Sequence, residues 1–469
     1  MLKVYLLFNV LQKNYYEYKS VVKYSVKKFY VLFATSVALI FYTFLKHSIF
    51  EYIVIGTILF QLVYLIKKSK VFLKITKRVL RLFITIFFEI VLMAFFVPYF
   101  LIDLLIPFLI IFANFINKPI ENIIKKSYIK KAIKKCDSVS GIKIAITGSY
   151  GKTSVKNYLG DVLREKYLVK KTPKSFNTPL GISKFINNEK LNYLDFLIYE
   201  FGARRVGDIL ELKRYFDYDI SIVTNIGLMH IDTFESIDNI IQEKMSIVKN
   251  DEKHIAILNY ENEYIRNYPL NVKKYTYGFS YGEFQARNIK LSIFGTEFDL
   301  YHNDNYIRSF SLNVLGRSAV LNVLPAIIIS YLFKIDYSFI EKIKRVDNRL
   351  SLRIMDDYYI LDDAYNSNIL GARYALEVLE THEGKKFLIT PGFVEMDLIK
   401  EELAKEYASM INDSVDNLIL VRNNFTILLS KYVKDLKVNF VESFREGFDL
   451  FLRIKEVNSI LLIENDLLE

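Results

Sequence analysis

An apolar run from Ile142 to Ile146 leads directly into Thr147-Gly148-Ser149-Tyr150-Gly151-Lys152-Thr153, and a helical pattern follows from Ser154 to about Lys166. A strand that breaks at a glycine loop and restarts as a helix leaves the chain few choices of fold. It belongs at the carboxyl edge of a parallel α/β sheet, where helix N-termini collect anions. Gly148 and Gly151 allow backbone N–H groups to close on a phosphate. Lys152 is spaced to reach the β/γ-phosphates, and the hydroxyl of Thr153 to ligate Mg²⁺. The form is the short G-x-x-G-K-T, because Ile146 stands where the eight-residue version has its first glycine. Gly148, Ser149, Gly151, Lys152, Thr153 and Ser154 are therefore the expected nucleotide-binding residues.

The rest of the chain divides around this stretch. Residues 1–140 carry uncharged or nearly uncharged runs at Phe29–Leu45, Ile49–Ile66 and Leu82–Ile116. Lengths near those a bilayer requires predict about four transmembrane helices, the last run folding as a hairpin near Pro98 to Asp103. Lysine-rich flanks put both termini on the cytoplasmic side, so the expected location is the cell membrane, multi-pass, with cytoplasmic catalytic domains and the lipid bilayer as a partner. The net charge of +11 is crowded around these segments, which argues against nucleic acid as a partner. The single cysteine, Cys136, excludes an intrachain disulfide framework and a cysteine-based zinc site.

Residues 141–345 read as a central ATP-binding domain with a mostly parallel sheet flanked by helices. Strand patterns end in carboxylates or polar turns: Tyr193–Glu200 runs into Phe201-Gly202-Ala203-Arg204-Arg205, and Ile220–Asn225 runs into Ile226-Gly227 and His230. Thr153, Glu200 and His230 are candidate Mg²⁺ ligands, since hard oxygen donors and phosphate suit that ion. Ahead of both strands and after the glycine-loop helix, Asn177-Thr178-Pro179 marks a structured turn able to meet an anionic substrate. Residues 346–469 alternate strand-like runs (Tyr358–Leu361, Lys386–Thr390, Asn417–Val421, Val438–Val441, Ser459–Ile463) with helical patterns, which predicts a second, Rossmann-like α/β domain. The apolar stretch after Leu312 is read as a soluble-domain helix and not a further span.

In order, these pieces resemble the Mur ligase family, ATP-dependent amide ligases of cell-wall precursors. The likeness covers about Gly141 to Glu469. Gly316 and Asn322 match the family's adenine-side motif, Arg349 the arginine that leads into the last domain, and Asp363-Ala364-Tyr365-Asn366-Ser367-Asn368 the signature of the D-alanyl-D-alanine-adding branch. The resemblance implies ATP and Mg²⁺ as cofactors and an acyl-phosphate mechanism. It makes Lys152, His230 and Lys244 catalytic, with Lys244 carbamylated and so a further metal-holding group beside Thr153, Glu200 and His230. It assigns Asn322, Arg349 and Asp363 to the nucleotide. Asn177, Thr178, Arg204, Arg205, Asn366 and Asn368 are expected at the substrates, a cell-envelope precursor and an amino acid or dipeptide donor.

The chain departs from the family pattern in four places. Membrane segments stand in place of the uridine-nucleotide domain. Arg204-Arg205-Val206-Gly207 replaces Asn-His-Pro-Gly. No histidine follows Gly316, and Ile369 replaces a proline. The arginine pair and the membrane segments point to a lipid-linked, phosphorylated or carboxylated acceptor. A poly-γ-glutamate-type synthase and a catalytically idle nucleotide-binding scaffold are the alternatives.

Overall fold

The computed structural model describes residues 2–13, 16–45, 52–60, 73–346, 349–364, 368–393, 400–434 and 436–465. Its chain divides into two compact units, residues 1–127 and 128–469.

The first unit is helical, with helices Leu2–Lys13, Tyr18–Lys27, Phe29–Leu45 and Lys77–Ala94, and most of Tyr99–Asp137. Apolar residues of these helices, among them Leu7, Leu11, Val79, Leu82 and Ile110, pack on one another in a core. Asp103 lies inside a helix, not at a turn, and is held by Lys3 at 2.6 Å. The Ile49–Ile66 run lies partly outside the described residues.

The expected multi-pass membrane location is corrected here. Among the described residues two helices are long and apolar enough to cross a membrane, Tyr99–Asp137 and Gly316–Phe333. The second is a core helix of the other unit, its apolar window 67% buried against protein. Hydropathy measures only how apolar a segment is, and a helix packed all round by protein satisfies the same test as one packed by lipid.

The second unit is built on two sheets. The larger has nine strands in the order β2-β3-β1-β4-β5-β6-β7-β8-β9. Here β1 is Ile142–Thr147, β2 Val169–Lys171, β3 Phe196–Glu200, β4 Ile220–Val223, β5 Ile255–Asn259, β6 Lys274–Gly278, β7 Phe284–Leu291, β8 Thr296–His302 and β9 Asn305–Leu312. Strands β1 to β5 run parallel, while β7 to β9 form an antiparallel extension. Parallel strands bury both faces, and the sequence obeys this. Ile144 and Ile146 enter one core with helices Lys152–Arg164 and Gly316–Phe333. Ala145, Leu197 and Tyr199 enter the opposite core with helices Pro179–Asn188 and Asp208–Tyr215.

The smaller sheet has six strands in the order β10-β11-β15-β12-β13-β14. They are β10 Ser351–Ile354, β11 Tyr358–Asp363, β12 Lys386–Thr390, β13 Asn417–Val421, β14 Lys437–Val441 and β15 Ser459–Glu464. All pairings are parallel except β10 with β11. The five expected strands are present; β10 and the short β2 are additions that the alternation pattern did not mark.

Candidate active site

Register sets the site. β1 lies between β3 and β4, with Ile146 opposite Glu200 and Thr147 opposite Val223. The glycine loop therefore leaves the sheet beside the Glu200 carboxylate on one side and the turn after β4 on the other.

The loop is shaped by positive φ at Gly148 (147°) and Gly151 (82°). It is pinned by the segment Thr224–Gly227. Ser149 N donates to Asn225 O at 2.6 Å, and Ser149 Oγ lies 3.0 Å from Gly227 O. Thr224 Oγ1 donates to Tyr150 O, and its own carbonyl accepts from Asn259 Nδ2 at 2.6 Å. The helix Lys152–Arg164 starts directly from Gly151. Lys152 Nζ folds back to the carbonyls of Gly148 (2.6 Å) and Ser149 (3.0 Å). Burial pulls its pKa down to about 8; Glu200 raises it, and Arg349 and Lys156 lower it further.

Glu200 is buried at the end of β3. Its Oε2 accepts from Thr153 Oγ1 at 3.0 Å and from Lys156 Nζ at 2.8 Å, and its Oε1 accepts from Asn177 Nδ2 at 3.2 Å. Burial alone would push its pKa up, but Lys156 and Lys152 outweigh it and hold the carboxyl below its ordinary value. Asn177 is further fixed where its carbonyl accepts Gly202 N at 2.9 Å. Thr178 spends its hydroxyl as the N-cap of the helix Pro179–Asn188, accepting Gly181 N at 3.2 Å.

Lys244 is 3% exposed and donates to Ala203 O at 3.2 Å, which brings it to the loop leaving β3. Burial, and then the positive charge of Lys152, pull its pKa down to about 7. Its neighbour Glu243 accepts Gly207 N at 2.8 Å and Ile209 N at 2.6 Å. Asp208 Oδ2 accepts Arg204 N and Arg205 N, at 2.8 and 3.0 Å. The backbone between Ala203 and Ile209 is thus tied from both ends, while the Arg204 and Arg205 residues themselves are exposed. His230 has φ 58° at the start of the helix Ile231–Phe234, on the same post-β4 segment that pins the glycine loop.

A cavity beside the loop is lined by residues of both sheets. Gly151, Ser154 and Asn322 face it from the larger, and Arg349, Asp363 and Asn368 from the smaller and its lead-in. The Asn322 amide sits so close to Gly151 that a Cβ there would lie 2.3 Å from its Oδ1. Asp363 Oδ1 accepts Leu350 N at 2.9 Å, and Asn368 caps the helix Ile369–Glu380 through Gly371 N at 2.8 Å. Ser318 and Ala319, which stand where a histidine was expected, line the cavity, whereas Arg317 pairs with Glu377 at 3.2 Å. Asn366 lies outside the described residues.

The donor set suits Mg²⁺. Thr153 Oγ1 and Glu200 Oε2 are adjacent hard oxygens. No group of three His, Cys, Asp or Glu side chains gathers among the described residues, which fits an ion that binds through one or two carboxylates plus substrate phosphates. Sequence reasoning missed Lys156. Its signal was available: it follows Lys152 by one helical turn, so both ammonium groups leave the same helix face.

Residues 146–330 match the Mur ligase middle domain. Over 324 residues the chain is 28% identical to UDP-N-acetylmuramoyl-tripeptide--D-alanyl-D-alanine ligase of Bacillus subtilis (strain 168), covering 67% of this chain and 70% of that one. It is 28% identical over 256 residues to UDP-N-acetylmuramate--L-alanine ligase of Dictyoglomus turgidum, covering 52% of this chain and 53% of the relative. The fold matches the crystal structure of MurF ligase from Thermotoga maritima in complex with ADP, with a TM-score of 0.66, 23% identity, and coverage of 74% and 81% of the two chains. Among the described residues only two helices meet the length and apolarity of a span, and one of them is a buried core helix, which overturns the expected multi-pass membrane location. Residues 146–330 thus match a Mur ligase middle domain, the relatives and the shared fold are those of Mur ligases, and the chain is an ATP-dependent, ADP-forming amide ligase.

Proposed function

We propose that this protein joins the amine of an amino acid or dipeptide to a carboxylate of a cell-envelope precursor, in the manner of the D-alanyl-D-alanine-adding ligases. The observation that carries this reading is the Thr153–Glu200 pair beside Lys152, on a loop and helix whose Gly151 and Ser154 line a cavity shared with Arg349, Asp363 and Asn368. In this reading the Gly148–Gly151 loop and Lys152 hold the ATP phosphates, and Asn322 and Arg349 the rest of the nucleotide. Thr153, Glu200, His230 and carbamylated Lys244 would hold Mg²⁺, which when bound offsets the negative charge of phosphate oxygens. Lys152 stabilises charge on the transferring phosphoryl group as the acceptor carboxylate becomes an acyl phosphate. The donor amine then displaces phosphate. Arg204 and Arg205, presented by a loop whose backbone is fixed, supply positive charge for an anionic acceptor, and Asn177 and Thr178 line its approach. Asn366 and Asn368 serve the donor side.

The test is ADP release with donors and acceptors offered singly and together. Release that needs both an amine and a carboxylate acceptor establishes the ligase; nucleotide binding without amine-dependent turnover would rule it out. Running the acceptor panel with uridine-linked and lipid-linked precursors decides which form is used. In the same assay His230→Ala is expected to raise the Mg²⁺ concentration for half-maximal rate by about tenfold. An unchanged Mg²⁺ titration would remove His230 from the metal site.

Lys244 gives a pH signature. Only the neutral amine reacts with CO₂, and a pKa near 7 makes that form abundant at neutral pH. The rate should therefore rise with pH through about 7, and Lys244→Met should be inactive across the range. The sign for stability is the same. The folded pKa lies below the ordinary 10.5, so the unfolded chain binds more protons between the two values, and this lysine's contribution to stability grows as pH rises from about 7. A rate profile flat through that window would refute the assignment.

A further inference from the structure

Lys156 and Glu200 are 44 residues apart and form an ion pair of 2.8 Å, with side chains 1% and 2% exposed. The same ammonium donates to Lys174 O, so it ties the phosphate-loop helix to the turn that carries Asn177. Lys156 reaches Oε2, the carboxylate oxygen that also accepts from Thr153. A metal held by Thr153 and Glu200 would compete with the Lys156 ammonium for the same carboxylate.

A carboxylate removed from water needs a counter-charge. We infer that Lys156 is a positioning residue that acts as the built-in counter-ion of Glu200, keeping the carboxylate in place and making bare Mg²⁺ a poor ligand until it arrives with the negative charge of a nucleotide. The inference rests on the reading of Glu200 as a metal ligand. Its physical content is a shared oxygen. With Lys156 present, a free divalent cation meets a carboxylate already neutralised and a positive neighbour. A Mg²⁺–nucleotide complex brings its own negative charge and meets no such opposition. Without Lys156, the buried carboxylate loses its ion-pair partner and keeps the donors Thr153 and Asn177 and the charge of Lys152, so a divalent cation meets less opposition.

The experiment is thermal unfolding of the full chain in three conditions: no divalent ion, millimolar MgCl₂ at matched ionic strength, and MgCl₂ with ADP. The unsubstituted protein should be stabilised by MgADP and barely moved by MgCl₂ alone. Lys156→Met should unfold several degrees lower without divalent ion and recover much of that loss in MgCl₂ alone. The double variant Lys156→Met/Glu200→Gln should return towards the parent midpoint and ignore MgCl₂. A Lys156→Met midpoint that MgCl₂ moves no more than it moves the parent overturns the inference. If Lys156→Met cannot be obtained folded, a folded double variant supports it, and failure of both variants overturns it by making Lys156 a packing residue. Failure of the parent to respond to MgADP would instead count against the nucleotide reading itself.

Discussion

Lys152→Met is expected to cut amine-dependent ADP release by about 10³-fold or more, the scale on which removal of a charge-stabilising group acts in phosphoryl and acyl transfer. The reason lies in where the ammonium is held. It bridges the carbonyls of Gly148 and Ser149 at 2.6 and 3.0 Å, so it stands directly over the loop that would take the phosphates. The charges that act on it there include those of Glu200 and Arg349. Methionine keeps the stem's length and packing and removes only the charge and its donors. The folded variant should have a near-parental midpoint without ligand and a reduced shift in MgADP. Turnover within tenfold of the parent would show that the lysine supports the loop and not the reaction.

Gly148→Ala is the second large effect. At this residue φ is 147°, and a Cβ would sit 2.1 Å from Thr224 Oγ1 and 2.9 Å from Asn225 O. The first contact is with a hydroxyl already committed to the carbonyls of Tyr150 and Thr147, and the second with the backbone that receives Ser149 N. Neither neighbour can turn aside without opening the loop. Strain at the φ angle and overpacking each cost about 1–3 kcal/mol, so a loss of several kcal/mol is expected in chemical denaturation. Nucleotide binding should fall with it, because the loop that breaks is the one that closes on phosphate. Gly207→Ala is the matched control: its φ of 96° is also positive, but nothing lies within 4 Å of the added carbon. If Gly148→Ala binds MgADP as tightly as Gly207→Ala, the loop is not the phosphate site.

Much of the α/β unit is legible in the sequence. The glycine loop and its flanking strand and helix are local in sequence, and backbone preference fixes them locally. The strand runs of the smaller sheet were legible too, because parallel strands buried on both faces read as short apolar runs. The same feature does not separate a membrane span from a core helix, as the buried Gly316–Phe333 helix shows. Apolar composition reports that a segment avoids water, not what covers it.

The sequence by itself determined the glycine loop, the order of strands and helices around it, and a set of candidate polar residues. Only the tertiary structure decided which of them work together. Strand register put Glu200 beside Ile146 and the loop, gave that carboxylate to Lys156 from 44 residues away, committed the Thr178 hydroxyl to a helix cap, and buried Lys244 deeply enough to hold its pKa near 7. A side chain's charge state and partners depend on distance and desolvation. Those are set by the pairing of segments far apart in the chain, which no local pattern records.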